Sequence, residues 1–198
     1  MRVQGHVISD VSNYGEIDVS AVIAKSSNVG TTKIAMMMEP SALRDRLALL
    51  GLGQPTTVGF SGEEDGFLPS YSTWRDLDHA ALSYGYNLNI TTIQLAQAYS
   101  VFANHGVLQP LTLLVEGVTP KPARIFSEKT IRQVLPMLQA VTEEGGTARH
   151  AQIPLYHVGG KTGTTMKYAN GSYASRQYIS SFVGLAPIAN PRFVMAIS

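Results

Sequence analysis

Two short polar stretches hold side chains that could take part in covalent chemistry. The first is Ser26-Ser27-Asn28, which separates two helix-like segments, and the second is Lys161-Thr162-Gly163-Thr164, within a strand-like segment. Taken alone, each stretch is only weak evidence of a catalytic site. Serine and asparagine between helices usually cap free backbone N–H groups, and a Lys-Thr-Gly strand is usually an exposed sheet edge. Their chemistry therefore depends on whether the fold brings the two stretches together.

The lysine stretch could also be part of a phosphate-binding loop, because Gly160-Lys161-Thr162 matches the end of that motif. The motif requires an earlier glycine at the position occupied by Leu155, and it must run directly into a helix. The sequence continues instead to Asn170-Gly171, a strong hairpin-turn signal. We therefore predict a strand, a turn and a second strand, and reject the phosphate-binding loop.

Composition narrows the class of protein. The 198 residues are 44% hydrophobic and 15% charged, which is typical of one large folded domain or part of a larger one. A net charge of +1 gives no reason to expect a nucleic-acid partner. The chain has no cysteine, and its histidines lack metal-ligand spacing, so we expect neither a metal nor a cofactor. No stretch approaches the roughly 18 apolar residues of a membrane span, and no signal-peptide core is visible.

The elements that must position the two polar stretches can be predicted from periodicity and capping signals. Helices are predicted at 17–24, 29–38, 41–50, 93–102 and 128–141, and strands at 157–167, 177–186 and from 192 onward. Gly51 should follow the third helix, Thr91 and Gln94 should form a capping box, and Ser127 should cap the last helix. Helices followed by an antiparallel meander favour an α+β fold over a parallel alternating one.

Three other features have simpler interpretations. The long excursion 51–73 contains the acidic run 63–65, which we interpret as a solvated loop because it lacks a calcium-binding pattern. Met36-Met37-Met38 is predicted to fill the core. The final apolar run, 192–198, has no terminating signal, so we expect the sequence to be part of a longer polypeptide.

Longer stretches carry a family resemblance. AKSSNVGTTKIA, LLGLG, LSYGYNLNITTIQLAQAYSVFANHG, EEGGTARHA and GGKTGTT resemble, in this order, stretches of the transpeptidase domain of class B penicillin-binding proteins. The resemblance is especially to the division-specific FtsI type, also called penicillin-binding protein 3. The resemblance implies a partial penicillin-binding-protein and β-lactamase-like fold. Residues 1–150 would be a mainly helical part with the Ser-x-Asn motif, and residues 151–198 would be antiparallel strands with the Lys-Thr-Gly motif.

The resemblance also implies roles for individual residues. In these enzymes a serine attacks a peptide or β-lactam carbonyl, and negative charge develops on its oxygen. Ser26 would relay a proton to the leaving nitrogen, and Asn28 would hydrogen-bond a substrate amide. Lys161 and the hydroxyls of Thr162 and Thr164 would bind a substrate carboxylate. The Thr164 N–H would also be one donor to the oxyanion.

Further residues are assigned to substrate binding in the same way. Gly163 would allow a stem peptide to approach the strand closely and add to it as an extra strand. Tyr84 is a candidate substrate contact, with core packing as the alternative. Thr147 and Arg149 would border the site.

One family motif is missing. The nucleophile belongs to Ser-x-x-Lys, and none of the serines in this chain is followed by lysine at that spacing; Ser20, for example, precedes Ala-Val-Ile. We therefore expect the nucleophile and its lysine base to lie before Met1, and this fragment alone to be inactive.

Three functions stay open. The first is a peptidoglycan D,D-transpeptidase for septal cross-linking, which is a penicillin target. The second is a non-catalytic domain that holds ligand or divisome partners. The third is a β-lactamase or β-lactam sensor of the same fold. The expected partners are peptidoglycan stem peptides and β-lactams, divisome proteins in the full-length protein, and further copies of the fragment. The expected location is the periplasmic face of the bacterial inner membrane, with the anchor outside this sequence.

Overall fold

A computed structural model of the chain describes residues 1–115, 120–169 and 172–198, with the backbone only at 168, 169 and 172–176. The helices are α1 Val19–Ala24, α2 Asn28–Ala35, α3 Pro40–Leu49, α4 Asp76–Ser83, α5 Thr92–Ala103 and α6 Glu128–Ala140. The strands are β1 Arg2–Val3, β2 His6–Val7, β3 Val107–Leu108, β4 Ala123–Arg124, β5 Gly159–Ala169, β6 Ser172–Ala186 and β7 Phe193–Ile197.

The end signals predicted at Gly51, Thr91–Gln94 and Ser127 are confirmed, and Asp18 is a further cap that the sequence analysis did not predict. Asp18 Oδ1 accepts a hydrogen bond from Ala21 N at 2.7 Å and begins α1 two residues later than periodicity suggests. The Thr91–Gln94 capping box is present before α5, with reciprocal bonds of 3.2 and 2.9 Å. Ser127 caps α6. Gly51 follows α3 with a φ of +87°, a backbone conformation that glycine adopts without a side-chain clash.

Two predictions about the helical part need correction. Helix α4 was not predicted, because Arg75 stands at its N-cap and only its backbone N–H, donating to Asp78 Oδ2 at 2.9 Å, forms a capping bond. The prediction that Met36-Met37-Met38 fills the core is wrong. Helix α2 ends at Ala35, so helical periodicity does not extend to these residues, and the Met37 side chain is 87% exposed.

The three long strands form one antiparallel sheet in the order β5-β6-β7, and the predicted α+β fold is confirmed. In its register Lys161 pairs with Val183, and Gly184 pairs with Met195. The mainly helical part also contains two small hairpins, β1-β2 and β3-β4. The predicted turn at Asn170-Gly171 lies outside the described residues.

Two buried clusters hold the elements together. Leu138 of α6 packs against Leu185 and Ile188 beneath the sheet, with Tyr99 and Phe102 of α5 beside them. Helix α6 contacts both β5 and α1, so it links the strand containing Lys161 to the helix that precedes Ser26.

The second cluster joins the first hairpin to the helices. Val3 and Ile8 pack against Ala80 of α4, and Val29 of α2 and Tyr84 lie against them. This cluster fixes the start of the chain against the first turn of α2.

The edge strand β7 has apolar side chains in contact with solvent on one face. Along β7, Phe193, Met195 and Ile197 are exposed, whereas Val194 and Ala196, which point the other way, are half-buried. Across the described residues, no helix is both long and apolar enough to span a bilayer.

Candidate active site

Ser26 lies at the junction of α1 and α2 in an unusual backbone conformation. Its φ is +56°, in the left-handed region that residues with a Cβ seldom occupy. The N–H groups of Ser26 and Ser27 donate to Ile23 O at 3.2 Å and Val22 O at 2.9 Å. The junction is therefore hydrogen-bonded to the end of α1, and the Ser26 side chain is exposed.

Lys161 reaches this junction from β5. Its Nζ donates to Ser26 Oγ at 2.7 Å and to the Thr162 backbone oxygen at 2.9 Å. The structure thus brings together the two stretches that are weak evidence when taken separately.

The Lys161 ammonium has an altered electrostatic environment. Burial lowers its pKa from 10.5 to about 8, because a low-dielectric environment penalises the charged form. In the part of the chain that is described, no ion pair includes Lys161. Near pH 7 it is a mostly protonated cation without a protein carboxylate partner, which suits it to binding a carboxylate from outside.

Thr147 joins the two sides of the site. Its backbone N–H donates to Ala24 O at 3.2 Å, and its Oγ1 lies 2.7 Å from Thr162 Oγ1. The residue therefore connects the end of α1 to the strand that contains Lys161. Arg149, two residues later, lies exposed in the 3₁₀ turn Arg149–Ala151.

Gly163 and Thr164 are exposed on β5. A Cβ added to Gly163 would meet only Ser181 Cβ, at 3.8 Å, so internal packing does not require glycine there. Gly160 on the same strand differs, because an added Cβ would overlap the Val183 backbone oxygen and the Phe182 ring. The open space beside Gly163 can accommodate the backbone of a ligand.

Asn28 and Tyr84 are the remaining predicted site residues. Asn28 begins α2, and its Nδ2 donates to Ser9 O at 3.4 Å. Tyr84 packs on the cluster of Val3, Ile8 and Ala80, and its ring meets the Tyr86 ring edge-on at 5.7 Å. Its contact with substrate stays a prediction.

Asp10 supports the site and was not identified from the sequence. Its carboxylate accepts a hydrogen bond from the buried Ser27 hydroxyl at 2.7 Å. An aspartate at the end of a strand-like run indicates that its side chain caps a helix. It does not indicate that this helix is α2, whose N-cap residue Ser27 lies 17 residues later. Elsewhere in the described chain, no group of three or more acidic or histidine side chains is arranged to hold a metal ion.

A helical part and an antiparallel sheet, with Ser26 of Ser-x-Asn in contact with Lys161 of Lys-Thr-Gly, have two of the motifs that penicillin-binding proteins and β-lactamases share. The family model of the penicillin binding protein transpeptidase domain matches residues 2–198, and the chain belongs to this family.

Curated relatives agree with this assignment. The chain is 39% identical to the probable peptidoglycan D,D-transpeptidase PbpC of Pseudomonas aeruginosa, covering 100% of this chain and 35% of the relative. It is 36% identical to the peptidoglycan D,D-transpeptidase FtsI of Escherichia coli K12, covering 99% of this chain and 33% of the relative. The chain therefore spans about a third of the length of these relatives.

Solved structures show the same architecture. The apo transpeptidase domain of Burkholderia pseudomallei penicillin-binding protein 3 superposes with a TM-score of 0.93 at 42% identity, covering 99% of this chain and 60% of that one. Penicillin-binding protein 3 of Mycobacterium tuberculosis, complexed with aztreonam, superposes with a TM-score of 0.89 at 32% identity. This match covers 94% of this chain and 46% of that one. The predicted resemblance is confirmed: the chain is close to the FtsI and penicillin-binding protein 3 members and corresponds to part of the domain.

Proposed function

We propose that this chain supplies the Ser-x-Asn and Lys-Thr-Gly elements of a peptidoglycan D,D-transpeptidase that cross-links the septal cell wall. The observation that supports this most is the 2.7 Å hydrogen bond from Lys161 Nζ to Ser26 Oγ. The Lys161 cation lies beside the exposed Ser26 hydroxyl and on a strand with solvent-exposed residues. This arrangement suits acyl transfer with a substrate that carries a carboxylate.

The hydrogen-bond direction suggests how the proton moves. Because Lys161 donates to Ser26 Oγ, the Ser26 hydroxyl hydrogen is free to point toward the leaving nitrogen of the substrate. When Ser26 gives up that proton, Lys161 can replace it. A pKa of about 8 places this donor near neutral pH, where general acid catalysis is efficient.

Substrate positioning falls to the neighbouring groups. The backbone N–H of Thr164, a residue exposed on β5, would stabilise the developing oxyanion, a contribution of about 2–4 kcal/mol per donor in such sites. Lys161 and the hydroxyls of Thr162 and Thr164 would bind the carboxylate. Asn28 would orient a substrate amide from the side opposite β5.

The nucleophile completes the proposal. No Ser-x-x-Lys occurs in the 198 residues, so the acylated serine and its lysine base would belong to another part of a longer polypeptide. Residues 1–150 and 151–198 would then be two parts of one incomplete transpeptidase domain. The chain alone would hold substrate groups without acylating.

The wider setting follows from the same proposal. The substrates would be stem peptides of peptidoglycan, and β-lactams would compete for the site; the relative solved with aztreonam supports this choice. The whole protein would act with divisome partners at the periplasmic face of the inner membrane. The lack of Ser-x-x-Lys also keeps a second function open, a domain that binds ligand without catalysis.

Penicillin acylation of the longer polypeptide containing Ser-x-x-Lys tests the proposal. Lys161→Ala and Asn28→Ala should each slow labelling by a fluorescent penicillin by roughly thirtyfold or more, since contacts of this kind are worth about 2–4 kcal/mol. Lys167→Ala, which removes an exposed lysine from the same strand, is the matched control and should react at the wild-type rate. Folded variants that react at equal rates would contradict the assigned roles. A longer polypeptide that lacks Ser-x-x-Lys and never labels would support the binding function.

A further inference from the structure

The segment before α1 makes a compact set of hydrogen bonds to the first turn of α2. Asp10 Oδ2 accepts from Ser27 Oγ at 2.7 Å, and Asp10 Oδ1 accepts from Val29 N at 3.0 Å. Ser27 Oγ in turn accepts from Gly30 N at 2.8 Å. One carboxylate therefore satisfies one backbone donor directly, and a second through the serine hydroxyl.

Ser27 has no freedom to make other contacts. Its side chain is 2% exposed, and it is both the N-cap of α2 and the hydrogen-bond donor to Asp10. Its neighbour Ser26 is exposed and contacts Lys161. Fixing Ser27 inward therefore fixes the direction in which Ser26 points.

Hydrophobic packing holds Asp10 in place. Ile8, two residues earlier, is buried against Ala80 and packs with Val29. Two bonds between the ends of the first hairpin, from Ile8 N to Met1 O at 2.8 Å and from Met1 N to Ile8 O at 2.9 Å, close it. The Asp10 carboxylate therefore directly follows a hairpin that is held in place by packing and by hydrogen bonds.

The backbone of Ser26 needs such support. A non-glycine residue at a φ of +56° is strained and persists only where its surroundings over-determine it. The α1 side supplies bonds from Ser26 N to Ile23 O and from Ser27 N to Val22 O. On the α2 side of Ser26, the Asp10 carboxylate holds the turn by accepting hydrogen bonds from Ser27 Oγ and Val29 N.

We propose that Asp10 is a positioning residue whose carboxylate, acting through Ser27 and Val29, holds the turn that presents Ser26 to Lys161. It does not touch the reacting groups. The consequence for acyl transfer rests on the proposed function, whereas the effect on the Ser26–Lys161 contact does not.

The contact itself can be followed in this chain without any substrate. NMR of ¹³C-labelled lysine gives the titration midpoint of Lys161. The Lys161 signal is assigned as the one that disappears in Lys161→Met. Ser26→Ala defines how far, and in which direction, this midpoint moves when the hydroxyl contact is absent. Because the reference comes from the same protein, the direction need not be assumed.

Asp10→Ala should move the midpoint in the same direction as Ser26→Ala, by at least half as much. The double variant should move it no further than Ser26→Ala alone. Asp10→Asn keeps one acceptor oxygen, so it should lie between wild type and Asp10→Ala. Asp18→Ala is the matched control, because it removes an aspartate cap from α1 that accepts from Ala21 N only, and it should titrate as wild type does.

A purely structural cap would give a different result. Asp10→Ala would then lower stability while Lys161 kept its wild-type midpoint in the folded protein, and the proposal would be overturned. An unchanged midpoint in Ser26→Ala would also overturn it, because the contact that Asp10 is said to position would be absent. If Asp10→Ala does not fold, Ser27→Ala removes the Ser27–Asp10 hydrogen bond while leaving the one from Val29 N, and it is judged by the same criteria. None of these outcomes depends on penicillin labelling, so the proposed function succeeds or fails separately.

Discussion

Lys161 Nζ and Ser26 Oγ lie 2.7 Å apart, although 135 residues separate them in the sequence. The contact joins the sheet to the α1–α2 junction and leaves the Ser26 hydroxyl exposed. Its donor is a half-buried ammonium whose only other hydrogen bond in the described chain is to the Thr162 backbone oxygen. The pair therefore places a positive charge, which has no carboxylate partner in the described residues, beside an exposed hydroxyl group.

The Lys161 ammonium should titrate at about pH 8 in the free chain, well below its ordinary value of 10.5, because burial disfavours the charged form. NMR of the lysine side chain measures this directly. Above that midpoint the neutral amine can no longer pair with a substrate carboxylate. A midpoint near 10.5 would show that water reaches the amine freely and that its environment is not the one described above.

His79 should make the fold sensitive to acid. It is buried, stacks on the Trp74 ring at 6.0 Å, and burial lowers its pKa from 6.5, although Asp76 and Glu39 oppose the shift. The unfolded state therefore takes up a proton first, and the free energy of unfolding falls as pH drops below 6.5 and through the folded-state pKa. The loss is at most about 1.4 kcal/mol per pH unit.

Urea unfolding at about pH 7 and about pH 5 measures this loss. His79→Phe keeps an aromatic ring against Trp74 and should lose less stability on acidification than wild type. His150→Phe changes an exposed histidine and should lose as much as wild type does. Equal acid sensitivity in wild type and His79→Phe would assign the effect to other groups.

The fold was largely predictable because its helix ends carry local signals. The Thr91–Gln94 box, Ser127 and Gly51 mark helix boundaries through their own side chains or backbone, and periodicity indicates the helices that these signals bound. Helix α4 lacks such a side-chain cap and was missed. Met36-Met37-Met38 was misplaced because periodicity does not show where a helix stops.

The site was less predictable because its contacts are between segments distant in sequence. Family resemblance names Ser26, Asn28 and Lys161, but no spacing rule shows that Lys161 reaches Ser26. The role of Ser27 depends on its hydrogen bond to Asp10, which lies just after the first hairpin and far from Ser27 in the sequence. Positive φ at a serine cannot be inferred from residue type, since residues with a Cβ rarely adopt it.

Thr147→Val should slow penicillin acylation of a longer polypeptide that contains Ser-x-x-Lys, while leaving it folded. Valine keeps the shape but loses the 2.7 Å contact between hydroxyl groups of Thr147 and Thr162. One such hydrogen bond is worth about 0.5–1.5 kcal/mol, or roughly two- to tenfold in rate. Thr147→Ser keeps the hydroxyl and should restore most of the rate; if serine and valine are equally slow, the hydroxyl contact is not the cause.

The isolated chain should associate with itself through β7. Among the described strands β7 has only β6 as a neighbour, and Phe193, Met195 and Ile197 are 67%, 64% and 54% exposed on one face. Unpaired edges with apolar side chains pair readily with other chains. Sedimentation velocity over a concentration series should show association that Met195→Lys reduces. Met37→Lys changes a methionine that is 87% exposed elsewhere, and should leave association unchanged. Monomers at every concentration would contradict this.

The site of penicillin acylation tests the central claim most directly. Intact-mass analysis and peptide mapping after incubation with a penicillin should find this chain unmodified. In a longer polypeptide that contains Ser-x-x-Lys, one penicilloyl group should map to the serine of that motif, outside these 198 residues. A stoichiometric adduct on Ser26, or on any other serine within the chain, would contradict the account, because the residues assigned here to binding and proton transfer would then include the nucleophile.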